Sequence, residues 1–222
     1  MKRILVIPAA LLFVLILIPA LIDLAPSALD LRPLVAANLV SSGVAHPVTA
    51  VLLNYRAYDT LLEIGVLLLA LVAILAVRGS VPGTASTPAT SPDPLLPMLG
   101  RIAAPVMVVV AVYLLWAGTS RPGGAFQAGA VLAASAVLLH LTGLRPGWQQ
   151  PGAGLRWGLA GGFLLFLGVG AILLLVEGDL LRYPPDHAGV LILLIESGLT
   201  LSLGLILAGL FLFLSHDKGG EQ

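Results

Sequence analysis

The sequence predicts an all-α fold: a polytopic membrane bundle of about six transmembrane helices. Three observations carry that prediction. Hydrophobic residues make up 59% of the 222-residue chain and charged residues only 10%, whereas a soluble domain carries roughly a quarter charged residues to keep its surface wet. The mean hydropathy is +1.05. The apolar residues also gather into six runs, each close to the roughly 17–25 residues that a bilayer core requires of a helix.

The first run covers residues 4–22 and follows Lys2-Arg3. A secretory signal has a shorter apolar core, about 7–15 residues, and a small-x-small cleavage site soon after it. Neither feature is present, so a retained anchor is expected. Residues 23–60 are semi-apolar and interrupted by Pro26, Pro33 and Pro47. An interfacial or partly re-entrant segment is expected there, with 34–54 as the place where a further span would hide. The second run is 61–77. Residues 79–98 are rich in Pro, Ser, Thr and Gly, the composition of a flexible exposed strap. The third and fourth runs, 102–117 and 126–142, are joined by a short polar break. A loop of similar composition, 145–154, leads to the fifth run at 155–176, and the sixth is 189–214. The expected organisation is a two-helix section (1–78), a linker (79–98) and a four-helix section (99–222).

Lys and Arg placement sets the expected orientation. With the N-terminus inside, the inner loops hold Lys2, Arg3, Arg78, Arg101, Arg145, Arg156 and Lys218, and the outer loops hold Arg32, Arg56, Arg121 and Arg182. Both termini are then cytoplasmic. Glu177, Asp179, Asp186 and the polar break face outward.

Several function classes are excluded. Lys+Arg and Asp+Glu balance at 11 each, with no polybasic run to grip nucleic acid. With no Cys there is no disulfide, thiolate nucleophile or cysteine-held cluster. The 4 His (His46, His140, His187, His216) are scattered, without the spacing of a helical metal or haem site. No P-loop, dinucleotide fingerprint or nucleophile elbow occurs. Neither enzyme activity nor a cofactor is expected.

The polar break reads Ser120-Arg121-Pro122-Gly123-Gly124-Ala125-Phe126-Gln127-Ala128-Gly129. Backbone in hydrocarbon must satisfy its own hydrogen bonds, so a Pro-Gly-Gly between two spans has a reason to be there. Pro122, Gly123 and Gly124 make the turn, and a helix restarts at Phe126. Glu196 interrupts the sixth run. A charge at a helix centre costs about 3 kcal/mol on the insertion scale. The seventeen Leu, Ile, Val and Phe of that run outweigh it at about −0.5 kcal/mol each. Such an acid is either an ion-relay group or a hydrogen-bonding link to a neighbouring helix, and Thr200, one turn on, is a candidate partner. Asp59 and Glu63 are one turn apart at the start of the second span. There they serve as cap and ion pair with Arg56, or as carboxylates at an ion entry. Tyr55 and Tyr58 read as interface anchors. His140, late in the fourth run, is a packing residue or a relay, and His187 a loop residue. Gly158-xxx-Gly162 and Gly129-xxx-Ala133 allow close helix contact.

The segment Gly118-Thr119-Ser120-Arg121-Pro122-Gly123-Gly124-Ala125-Phe126-Gln127-Ala128-Gly129 resembles a hallmark of the MnhB/MrpB family, one of the small membrane components of Mrp-type multisubunit sodium/proton antiporters. That family typically reads Gly-His-x-x-Pro-Gly-Gly-Gly-Phe-x-Gly-Gly. Ile195-Glu196-Ser197-Gly198 resembles the acidic-x-Gly pattern of the family's final span. Residues 48–63, from Val48-Thr49-Ala50 through Asn54-Tyr55-Arg56 to Glu63, are similar to a different piece. They look like the C-terminal part of the large A-type antiporter component, which is a separate small E-type component in membrane-bound hydrogenases. The resemblance covers nearly the whole chain, as a hydrogenase-E-like front joined to an MnhB-like back. Thr119 stands where the family usually has His, and Ala125 and Ala128 stand where it has Gly. The resemblance implies an accessory subunit in a bacterial or archaeal cell membrane. Its partners would be membrane lipid and the other antiporter subunits, including ones similar to respiratory complex I membrane subunits. The implied ion-path candidates are Glu196, Glu63, Asp59 and His140. A redox-driven pump with the same membrane arm, or a purely structural scaffold, are the alternatives.

Overall fold

The computed structural model describes residues 11–19, 30–79, 95–144 and 151–214. Both ends of the predicted 4–22 span, most of the 79–98 strap and residues 145–150 lie outside the described residues. The chain divides into two units, Met1–Leu34 and Val35–Gln222. In the first, residues 11–19 are helical (α1). Further on, Asp30 accepts the Arg32 N–H at 3.1 Å and its Nε–H at 2.9 Å. This exposed guanidinium holds the Asp30 carboxyl below the usual carboxylate range. Helix α2 (Arg32–Asn38) begins at that pair.

The second unit opens with short broken pieces in place of a further span within 34–54. A 3-10 turn at Val40–Ser42 ends on left-handed Gly43. Helix α3 (Pro47–Ala50) starts on Pro47, whose missing N–H is no loss at a first helical position. It runs into a single π turn, Val51–Tyr55, which stops at Arg56. Backbone carbonyls there are taken up by side chains. The Thr60 hydroxyl donates to Leu52 O (2.6 Å), the Asn54 amide to Ser42 O (2.9 Å) and the Tyr55 hydroxyl to Asn38 O (2.7 Å). Broken backbone at membrane depth is tolerated only with such satisfaction.

Five longer helices follow: α4 (Ala57–Gly79), α5 (Leu95–Ala117), α6 (Ala125–Leu141), α7 (Ala153–Glu177) and α8 (Ala188–Leu214). Four of them are long and apolar enough to span a bilayer, and α6 is a shorter apolar helix. Its 17 residues extend about 25 Å at 1.5 Å each. The second span starts at Ala57, not 61, because Arg56 leaves helical geometry just before it. The third starts at Leu95, not 102. Pro97 sits in its first turn, where N–H groups have no helical acceptor in any case. Arg101 and Arg156, assigned to loops by hydropathy, therefore lie inside α5 and α7.

Helix α8 is the hub. Half of its most apolar window is buried, against 17% for α4 and α5. It packs on α4, α6 and α7 and touches α5. Lipid tails are as apolar as leucine, so helix association in a membrane relies on close packing of small residues and on hydrogen bonds. The glycines of the two small-residue spacings supply the first. A Cβ on Gly129 would sit 2.9 Å from Leu203 Cβ, and one on Gly162 only 2.6 Å from Ser202 Cβ and 2.7 Å from Gly198 O. Buried hydroxyls supply the second. Ser202 donates to Leu159 O at 2.5 Å between α8 and α7, and Ser135 to Ala104 O at 3.4 Å between α6 and α5.

Adjacent Gly161 meets nothing within 4 Å and provides the control. Gly162→Ala should lower the apparent melting temperature of the detergent-purified protein, with a cost of about 1–3 kcal/mol from overpacking. Gly161→Ala should leave it unchanged or raise it. Equal effects of the two substitutions would show that α7 does not lie against α8 through Gly162.

Candidate functional site

The site grows out of the α5–α6 hairpin. The Leu114 carbonyl accepts the Gly118 N–H at 3.1 Å and the Gly124 N–H at 2.9 Å, so one acceptor closes both ends of the turn. The Arg121 N–H bonds Ala117 O at 2.7 Å. The turn is tight enough that a Cβ on Gly118 would lie 2.6 Å from Gly124 N. Pro122 is exposed on the outside of the turn, while Phe126 packs onto the main core. Helix α6 thus restarts at once, but without a cap of its own. Gly124 precedes it at φ 105°, ψ −172°, with no side chain to accept the first N–H groups.

An anionic group from α8 faces this helix end. The Glu196 carboxylate lies beside the Ala125 N–H, and both residues border one small cavity. Gly124 lies against the same group, since a Cβ there would stand 2.6 Å from Glu196 Oε1. Two properties of Gly124 are therefore used together: a positive φ that L side chains avoid, and a bare α-carbon that lets a carboxylate approach. The N-terminal end of a helix carries about half a positive charge from aligned peptide dipoles and attracts an anionic group. Glu196 is only 4% exposed, and its Oε2 has no hydrogen-bond partner among the described residues. Thr200, expected to bond the carboxylate, instead donates to the backbone carbonyl of Glu196 at 2.8 Å. In a helix a threonine hydroxyl is placed to reach the carbonyl four residues back, which explains the difference.

Glu196 stands between two cavities. The larger, about 350 Å³, opens among residues 43–45, Thr49, Thr119, Asp186, Gly189 and Leu193. The smaller, about 20 Å³, is enclosed by Thr49, Leu52, Thr60, Gly124, Gln127 and Leu199, among others. Among the described residues only Glu196 and Thr49 border both. The Thr49 hydroxyl donates to Gly118 O at 2.8 Å, which ties the broken 47–55 segment to the hairpin. The 43–45 turn is pressed against the start of α8, where a Cβ on Gly189 would lie 3.1 Å from Gly43 O. Thr49 and Asp186 had not been singled out from sequence as site residues. A lone threonine and a loop aspartate carry no local pattern that separates them from capping or surface groups.

The other predicted candidates are not brought to this place. Asp59 is the third residue of α4, not its N-cap, because the helix begins at Ala57. It pairs with Arg56 on the exposed surface. Glu63 is exposed, and neither carboxylate lines either cavity. The Tyr58 hydroxyl donates to Leu180 O at 3.2 Å, so this tyrosine fastens α4 to the α7–α8 loop. His140 is half-buried near the far end of α6, about 20 Å along the helix from Ala125 at 1.5 Å per residue. His187 is an exposed loop residue, as expected.

Residues 95–214 match the family model described as a domain related to MnhB subunit of Na+/H+ antiporter. That stretch is more than half of the chain and contains α5–α8, the glycine hairpin and Glu196. The chain belongs to this MnhB-related family. Two solved structures share the fold. One is the Mrp complex from Dietzia sp. DQ12-45-1b, with a TM-score of 0.72 and 23% identity over 100% of this chain. The match spans only 27% of the length of that Mrp chain. The other is the membrane-bound sulfane sulfur reductase (MBS), an archaeal respiratory membrane complex. Its TM-score is 0.69, with 22% identity over 98% of this chain and 99% of the matched one. None of the curated proteins matches.

In this MnhB-related chain the Gly124 position is the sharpest handle on the site. Gly124→Ala forces a Cβ onto Glu196 Oε1 and an L side chain into positive φ. The expected cost is about 1–3 kcal/mol, read as a lower apparent melting temperature in detergent. A Gly124→Ala protein as stable as the parent would contradict the placement of Glu196 against the hairpin.

Proposed function

We propose that this chain is a membrane subunit of a multisubunit cation/proton antiporter, and that Glu196 is a carboxylate on its proton path. Family membership supports the first part. The observation that carries the second is the buried Glu196 carboxylate, set against the glycine turn at the start of α6, with Oε2 unpartnered among the described residues and a cavity on either side. A purely structural link would be expected to use both oxygens, because an unmade hydrogen bond costs about 1–3 kcal/mol. Intramembrane acids that are kept despite their cost mark ion and proton pathways. Asp59 and Glu63, being exposed, serve as surface charges where this chain meets lipid headgroups or a neighbouring subunit, and His140 as a packing residue.

The proposed partners are the other subunits of such an antiporter, including complex I-like membrane subunits. The proposed setting is a bacterial or archaeal cell membrane, with both termini cytoplasmic. The chain's own apolar surface favours companions. Val106, Val109, Val112 and Trp116 of α5 are all more than half exposed, along a helix of which only 17% of the apolar window is buried. A second reading, a membrane-arm subunit of a redox-driven ion pump, is favoured by one observation: the fold matches 99% of a chain from the MBS respiratory complex.

Glu196→Gln tests the relay. Gln matches Glu in size and keeps a carbonyl oxygen to face the Ala125 N–H, so the hairpin and the assembly survive while the ionisable group is gone. Cation/proton exchange by the reconstituted complex should fall at least tenfold with subunit composition unchanged. Unchanged exchange in an intact complex would refute the role.

A further inference from the structure

The two cavities differ in size in a way that decides what passes Glu196. The larger, at about 350 Å³, has room for on the order of ten waters at roughly 30 Å³ each. Its wall carries the Thr49 and Thr119 hydroxyls and the exposed Asp186. The smaller, at about 20 Å³, exceeds the roughly 10–15 Å³ needed for one water and no more. Polar groups are available to that water from Thr49, Thr60, Gln127 and Glu196, which meets the need for 2–4 partners. A hydrated cation fits the first space and not the second.

We propose that the larger cavity is an aqueous vestibule delivering protons to Glu196, and that the smaller is a single-water site passing them on toward the exposed side chain of Gln127. This deepens the relay reading of Glu196 and rests on it. The ligand in both spaces is water, acting as proton carrier. A proton adds to the carboxylate from a vestibule water and leaves to the single water, one O–H bond forming as another breaks, with no oxidant or reductant. The Thr49 hydroxyl, bordering both spaces, joins them beside the carboxylate. The Glu196 and Gly124 geometry keeps backbone out of the way, since the same bare α-carbon that admits the carboxylate also lines the single-water site.

The chain has no Cys, so introduced cysteines report cleanly. The assembled complex in vesicles, carrying Thr119→Cys or Leu193→Cys, is treated from each side with a charged, membrane-impermeant methanethiosulfonate. Asp179→Cys in the exposed α7–α8 loop marks the side, and Leu194→Cys, outside both cavities, is the buried-in-lipid control. Thr119→Cys and Leu193→Cys should label only from the side that labels Asp179→Cys, at least tenfold faster than Leu194→Cys. Their labelling should cut exchange at least fivefold. Labelling no faster than the control overturns the vestibule. For the onward step, Thr49→Val should slow exchange at least fivefold and Thr49→Ser should restore it. A Thr49→Val complex with full exchange overturns the joined water path. The two failures are distinguishable: intact exchange in Glu196→Gln with fast vestibule labelling removes the relay and the proton delivery that rests on it, leaving a water-filled cavity, and lost exchange in Glu196→Gln with slow labelling removes the vestibule alone.

Discussion

A helix that begins buried inside a protein leaves its first N–H groups without water to bond. Here α6 starts directly from a glycine turn that has no capping side chain. The group set against this helix end is the Glu196 carboxylate, 71 positions further along the chain from Ala125. This one contact fixes much else. It docks α8 against the α5–α6 hairpin, requires Gly at 124, and gives a buried acid a partner at a helix end that favours it. The glycine contacts of Gly129 and Gly162 with α8 then bring the remaining helices in register around the same hub.

The contact also divides space. Because the carboxylate reaches across to the hairpin, the region beside it is split into a wide cavity toward the loops and a narrow one toward the broken 47–55 segment. That segment contributes Thr49, the residue besides Glu196 common to both. A π turn costs helical regularity and is found where a side chain has to be re-aimed. In this chain the π turn directly follows Thr49 and Ala50 and precedes the Arg56 break. At this site the front section of the sequence provides the hydroxyl and the back section the carboxylate.

Much of this was legible in the sequence, and the reason is physical. Hydrophobic run length reports bilayer thickness, so the spans 61–77, 126–142, 155–176 and 189–214 fall within a few residues of observed helices. An acid in a run of Leu and Ile announces itself by its cost, so Glu196 stands out without any structure. The Pro-Gly-Gly stood out for the same reason, and its resemblance to the antiporter pattern pointed to the family. What the sequence could not convey was that Glu196 and Gly124 answer each other. No local pattern encodes a contact between residues 72 positions apart. For the same reason Thr49 and Asp186 looked like ordinary loop residues. Asp59 and Glu63, by contrast, had a clear helical spacing and yet lie on the outside. Spacing places two groups on one face of a helix but does not say which way that face looks. The start of α5 at Leu95 was missed because a proline in a first helical turn reads, in hydropathy alone, like the end of a loop.

The central claim is that the Glu196 carboxylate sits against the first N–H of α6. Solid-state NMR on the membrane-embedded complex, recoupling the Glu196 side-chain carboxyl 13C with the Ala125 amide 15N, measures this contact directly. A hydrogen bond with a donor–acceptor separation of about 2.9 Å places the two nuclei within about 4 Å of one another. Strong dipolar dephasing at that distance is the predicted result. Absence of dephasing, with the nuclei beyond about twice the hydrogen-bond length, would contradict the account.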